Sequence, residues 1–259
     1  MAADFELEKG VSLGEWLHRQ ISDEAWMERE AWAIDRARRV EDRLQHRRSQ
    51  PDRLIVEIPW IEEFTAFTAP GRYVYISRRL FERCATDEHV AFIVAHEIAH
   101  HDLNHIDLFM GWAPRIMALP GASLLALVFH ALERRLYGPE KECDADRHAL
   151  DLCIAAGYDP KLCLGLFDIL EQHALDMGHL DMVYGPDEDS DNELDEDAPW
   201  TTKARIWAWQ RKYGYLPIRD RRQMLVKHLE TRRQPGSTKA VGPIGSLRPM
   251  RSKSGSPAT

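Results

Sequence analysis

The run His96-Glu97-Ile98-Ala99-His100 carries the residue types of a metal-assisted hydrolytic centre at helical spacing. Two histidines four positions apart on an α-helix share one face and stand about 6 Å apart along its axis, so both imidazoles can reach one Zn²⁺. Glu97 projects nearby, where it can take a proton from water that the metal activates. The preceding residues, Val90-Ala91-Phe92-Ile93-Val94-Ala95, are apolar, which predicts a buried helix. A buried His-Glu-x-x-His without a cation would strand several polar groups, each at a free-energy cost. The competing reading is a surface helix with incidental histidines, and the apolar flank argues against it.

A catalytic zinc site needs a third protein ligand and one open position. Glu142 and Asp146, in Glu142-Cys143-Asp144-Ala145-Asp146, are four apart and share a face of a later helix. One can ligate zinc while the other, a turn along, accepts a hydrogen bond from a ligating histidine and fixes its tautomer. An acidic first turn favoured by the helix dipole accounts for the same residues without a metal. His101 is rotated about 100° from His100 and is read as a surface or packing residue. His148, His173 and His179 are candidates for the substrate side, each with a plain surface reading beside it.

These groups must be positioned by the elements around them. Ser12-Leu13-Gly14-Glu15 has the form of a capping box and predicts a first helix. The apolar spacing of Trp26, Ala31, Ile34, Ala37, Val40 and Leu44 predicts a helix over 23–48, with its Trp and Leu facing the core. Segments 54–58, 64–68 and 73–77 read as strands of a small β-meander, with Pro70-Gly71 as a turn. Helices are predicted over 78–84, 88–104, 138–156, 161–175, 201–212 and 219–231. An extended peptide is expected to add to an edge strand at 73–77, which makes Tyr73, Tyr75 and Ser77 substrate-binding candidates.

Composition bounds the rest. A chain of 259 residues, 44% hydrophobic and 29% charged, describes an ordinary globular protein, and a net charge of −8 disfavours nucleic acid as partner. Cys84, Cys143, Cys153 and Cys163 form no C-x-x-C pair and read as free thiols, Cys153 and Cys163 as buried ones. With no secretory leader evident, this suits a reducing, cytoplasmic setting. The apolar stretch 108–132 is interrupted by Pro114, Arg115, Pro120 and His130, and its uninterrupted part is too short for a membrane span of about 20 residues. It reads as a buried helix, with peripheral membrane contact as the alternative. The acidic run 187–197 starts like a calcium loop, but Asn192 replaces its glycine and Ala198 its bidentate glutamate.

The pairing of His96-Glu97-x-x-His100 with Glu142-x-x-Ala145-Asp146 resembles the CaaX prenyl protease, HtpX and mitochondrial Oma-type zinc metalloendopeptidases and their soluble relatives, a gluzincin pattern. Thr65-Ala66-Phe67-Thr68-Ala69-Pro70-Gly71 is similar to that family's Asn-Ala-Phe-x-x-Pro-Gly-Gly segment, and Ala155-Ala156-Gly157-Tyr158-Asp159-Pro160 to its later turn. The resemblance implies an α+β, predominantly α, zincin-like (minigluzincin) domain with a small β-sheet beside the motif helix. It implies one Zn²⁺ per chain on His96, His100 and Glu142, with Glu97 catalytic and Asp146 supporting a ligand. His105 resembles a histidine common just after the family's motif, with a structural role. Leu216-Pro217-x-x-x-x-Arg222 is similar to a His-Pro-x-x-x-x-Arg element, with Leu216 replacing the histidine, and suggests that Arg222 stabilises an oxyanion or orients a carboxylate.

The expected function is hydrolysis of peptide bonds in polypeptides, such as unfolded or damaged ones in protein quality control. The alternative is a non-catalytic zinc-binding scaffold or chaperone-like module. The expected layout is N-terminal helices over 1–50, a catalytic domain over 51–231 with a mobile acidic loop at 186–198, and a disordered basic tail over 232–259.

Overall fold

The computed structural model describes residues 13–50, 52–68, 72–105, 138–185 and 216–233. Ser12, the Pro70-Gly71 turn, the apolar stretch 108–132, the acidic run 187–197, the helix expected over 201–212 and the tail from 234 lie outside these residues.

Helix α1 (Leu13–Glu24) is followed by strand β1 (Trp26–Met27) and helix α2 (Ala31–Gln45). The single helix expected over 23–48 is therefore interrupted. Trp26, expected in the core, is 88% exposed, because β1 pairs antiparallel with β3 (Pro59–Trp60) and sets Trp26 opposite Trp60. The stripe that does face inward is Ala33, Ala37, Val40 and Leu44 on α2, at spacings of three and four.

Strands β2 (Ile55–Glu57), β4 (Ala66–Thr68) and β5 (Tyr73–Ile76) form a second sheet in the order β2-β5-β4. A meander would place consecutive strands side by side and antiparallel. Here β5 is central, parallel to β2 and antiparallel to β4, because the excursion through β3 and β4 returns the chain between them. Alternation of side chains sends Val74 and Ile76 into the core. Tyr75 goes to the other face, where its hydroxyl and His18 Nδ1 of α1 are 3.0 Å apart.

Helix α3 (Arg78–Arg83) is capped by Ser77, whose hydroxyl accepts from the Leu80 N–H. The motif helix α4 (Asp87–Asp102) is buried at nearly every position from His89 to His100. It packs against α2, β4, β5 and, above all, α5 (Gly138–Ala155). Gly157, at φ +78°, closes α5: its N–H reaches Ile154 O and the Tyr158 N–H reaches Cys153 O, a Schellman cap. Arg43 of α2 donates to the carbonyls of Ala156 and Gly157, both at 2.6 Å, tying α2 to that end.

The helix expected over 161–175 is two, α6 (Pro160–Leu164) and α7 (Leu166–Asp176). Asp159 caps the first through the Lys161 N–H. The short α8 (Leu180–Tyr184) and α9 (Ile218–Arg233) complete the described elements. All four cysteines are free and buried. Among the described residues no helix is long and apolar enough to cross a membrane.

Candidate active site

Helix α4 brings His96 and His100 to one face, with their Nε2 atoms 3.2 Å apart. Helix α5 packs across that face and delivers Glu142, whose oxygens lie 3.3 Å from His96 Nε2 and 3.5 Å from His100 Nε2. The three residues offer ligand atoms all within 4.8 Å of one another, the only such group of three found among the described residues. Two imidazole nitrogens and a carboxylate oxygen at this spacing match the donor set of an open zinc site.

The other nitrogen of each histidine is also supported. Asp146, one turn after Glu142, is fully buried (0% exposed) and its Oδ1 sits 3.0 Å from His96 Nδ1, an ion-pair contact without full hydrogen-bond alignment. His105 Nδ1 lies 3.0 Å from His100 Nδ1. Two hydrogen bonds from Arg221 of α9, both 2.7 Å, hold the two oxygens of Asp146.

The charges explain one another. Burial draws the His96 imidazole down, but Asp146 and Glu142 together outweigh it and lift its pKa to about 10. Burial pushes Glu142 up, yet His96, His100 and Arg221 bring it to about 2. Asp146, raised by burial, is carried well below the usual carboxylate range by Arg221 and His96. Burial and the charge on His96 depress His100 to about 3. Glu97, 7% exposed, is raised to about 7 by burial, against the pull of His96. Buried Glu97 and Asp146 and half-buried Glu142 crowd the two histidines, and Arg221 answers the charge at Asp146. This leaves a demand for positive charge at the position between the Nε2 atoms, which the raised pKa of His96 reflects. A divalent cation there would satisfy the same demand, so the residues fit a bound metal.

Other residues singled out in the sequence lie elsewhere. Arg222 pairs with Asp168 of α7 at 2.6 Å on an exposed face. One residue along a helix is a rotation of about 100°, and α9 turns Arg221, not Arg222, toward α5. Arg222, the residue singled out by the His-Pro-x-x-x-x-Arg likeness, thus meets Asp168 rather than the carboxylates beside His96. The signal for Arg221 lay in the α9 spacing Arg221, His228 and Arg232, opposite Asp146 and Asp151 on α5.

Tyr73, Tyr75 and Ser77 do not form an edge for substrate. Strand β5 is paired on both sides, Tyr73 stacks on His18 at 3.8 Å, Tyr75 is buried, and Ser77 serves as the α3 cap. His148 contacts Asp102 at 3.3 Å, His101 bonds Thr68 Oγ1, and His173 stacks on Phe64 at 3.9 Å.

A buried helix bearing two facing histidines, crossed by a second helix bearing a carboxylate, defines a metallopeptidase-type centre. The chain belongs to peptidase family M48, whose sequence profile matches residues 35–198. Members of that family are zinc metallopeptidases. No curated protein matches the chain.

Proposed function

We propose that this M48 peptidase is a zinc-dependent metalloendopeptidase. The observation that carries the reading is the meeting of His96 Nε2, His100 Nε2 and a Glu142 oxygen within 4.8 Å, next to buried Glu97. A zinc ion held by these three residues would supply Lewis acidity toward the scissile carbonyl. Glu97 accepts a proton from the attacking water as the C–O bond forms, and passes it to the leaving nitrogen as the C–N bond breaks. Asp146 and His105 hold the two imidazoles from behind.

The substrate is an extended polypeptide lying along β4. In the β4·β5 pair, the Ser77 N–H donates to Thr65 O. By the antiparallel alternation, Phe67 then bonds to Tyr75, while Ala66 and Thr68 turn their N–H and C=O groups away from β5. Among the described residues no strand pairs with this outer edge, which borders the motif helix where Thr68 Oγ1 reaches His101 beside His100. Pairing at an edge requires a segment released from its own fold, which favours unfolded or damaged proteins and a role in quality control. Four free thiols support a reducing, cytoplasmic setting.

Zinc stoichiometry and turnover of an unstructured protein such as casein test the reading together. The expected result is one zinc per chain in both wild type and Glu97→Gln, with turnover reduced at least ~10²-fold in the variant. Full activity of Glu97→Gln would refute the mechanism. A zinc-loaded wild type without turnover would favour a binding module.

A further inference from the structure

We propose that Arg221 is a positioning residue for His96, acting through Asp146. The inference rests on the zinc-peptidase reading and adds to it a residue beyond the matched segment 35–198.

Asp146 is buried completely, so both its oxygens need partners inside the protein. Arg221 supplies them as a fork, Nε to Oδ2 and Nη2 to Oδ1, each at 2.7 Å. Two parallel bonds fix the plane of a carboxylate as well as compensating its charge. The oxygen so held, Oδ1, is the one 3.0 Å from His96 Nδ1. A neutral imidazole that binds metal through Nε2 carries its proton on Nδ1, so an acceptor on that side sets tautomer and ring orientation.

The guanidinium is itself seated. It lies 5.7 Å over the Phe167 ring, and Phe167 meets Phe92 of the motif helix edge-on at 5.7 Å. Helix α9 thus reaches His96 by way of α5, across 75 positions of sequence. Arg222 cannot substitute, because its own partner is Asp168 on another face.

The test is zinc affinity of the metal-stripped full chain, measured by competition with a chromophoric chelator. Wild type, Arg221→Met, Arg221→Lys and Arg222→Met are compared. Arg221→Met is expected to weaken zinc binding about 10- to 100-fold. Arg221→Lys keeps the charge but not the fork and is expected to fall between, while Arg222→Met binds as wild type. In zinc-loaded Arg221→Lys the side-chain nitrogen NMR shifts of His96 move, a readout that loss of stability alone would not give. Should Arg221→Met fail to fold, Arg221→Lys carries the test alone. Unchanged zinc affinity and unchanged His96 shifts in the folded Arg221 variants overturn the proposal. A wild type that binds no zinc overturns instead the reading beneath it.

Discussion

The Nδ1 atoms of His100 and His105 lie 3.0 Å apart, and the way α4 ends is what brings them together. Asn104 adopts φ +56°, its N–H reaches His101 O, and the His105 N–H reaches His100 O at 2.8 Å. This is a Schellman cap, in which the residue after the left-handed position folds back over the last full turn. An apolar contact commonly fills that place. Here it is a histidine pair, so the helix stop also braces an imidazole of the candidate metal site.

Replacing His105 by Phe keeps the ring volume and removes the hydrogen-bonding nitrogens. Zinc affinity is expected to drop about 10- to 100-fold, read by chelator competition. Unaltered affinity would leave His105 a packing residue. Asn104→Gly should retain or raise thermal stability. Asn104→Ala, strained at positive φ, should cost about 1 kcal/mol and lower Tm by roughly 2–4 °C.

The outer edge of β4, unpaired among the described strands, makes a separate prediction. Ala66→Pro removes an N–H that points away from β5, so the sheet keeps its ladder while a bound peptide loses one backbone bond. The expected outcome is a raised KM on an unstructured substrate, with zinc content and Tm near wild type. An unchanged KM would show that substrate does not pair at this edge.

His89 gives a pH dependence away from the metal. Burial chiefly, with the field of Arg36, lowers its pKa against the opposing pull of Glu88 and Asp168. Its Nδ1 is buried without a hydrogen-bond partner among the described residues, which is the structural ground for that burial cost. The folded value lies below the unfolded 6.5, so in the acid range below 6.5 the unfolded chain binds the proton that the folded chain refuses. Stability is then full above that pH and declines as pH falls through it. Chemical denaturation of the chelated protein at about pH 7.5 and 5.5 should give a smaller acid loss for His89→Gln than for wild type. Equal losses would exclude His89 as a source. His18 and His173, also lowered mainly by burial, retain their share of the slope in the variant.

Local periodicity made much of the site legible. His96 and His100 share a face because both sit on one helix, and Glu142 and Asp146 do so for the same reason. The Pro and Gly punctuation around Gly157-Tyr158-Asp159-Pro160 marked a helix end, a turn and a new cap, all of which form. Trp26 was misread because a helical spacing continued by chance across a bend, where β3 recruits the chain into a two-stranded ribbon. The strand order β2-β5-β4 had no local sign, since which strands pair is decided by how the sheet closes over α4.

The sequence by itself therefore determined the chemistry each helix can present: two imidazoles and a carboxylate on α4, two carboxylates on α5. Short-range helical geometry requires no knowledge of the rest of the chain. Only the tertiary structure decided which groups meet across elements. It turned Arg221 rather than Arg222 toward Asp146, set His105 against His100, and left β4 rather than β5 at the outside of the described sheet. Those choices depend on rotations of about 100° and on strand pairing, both set by the packing of the common core.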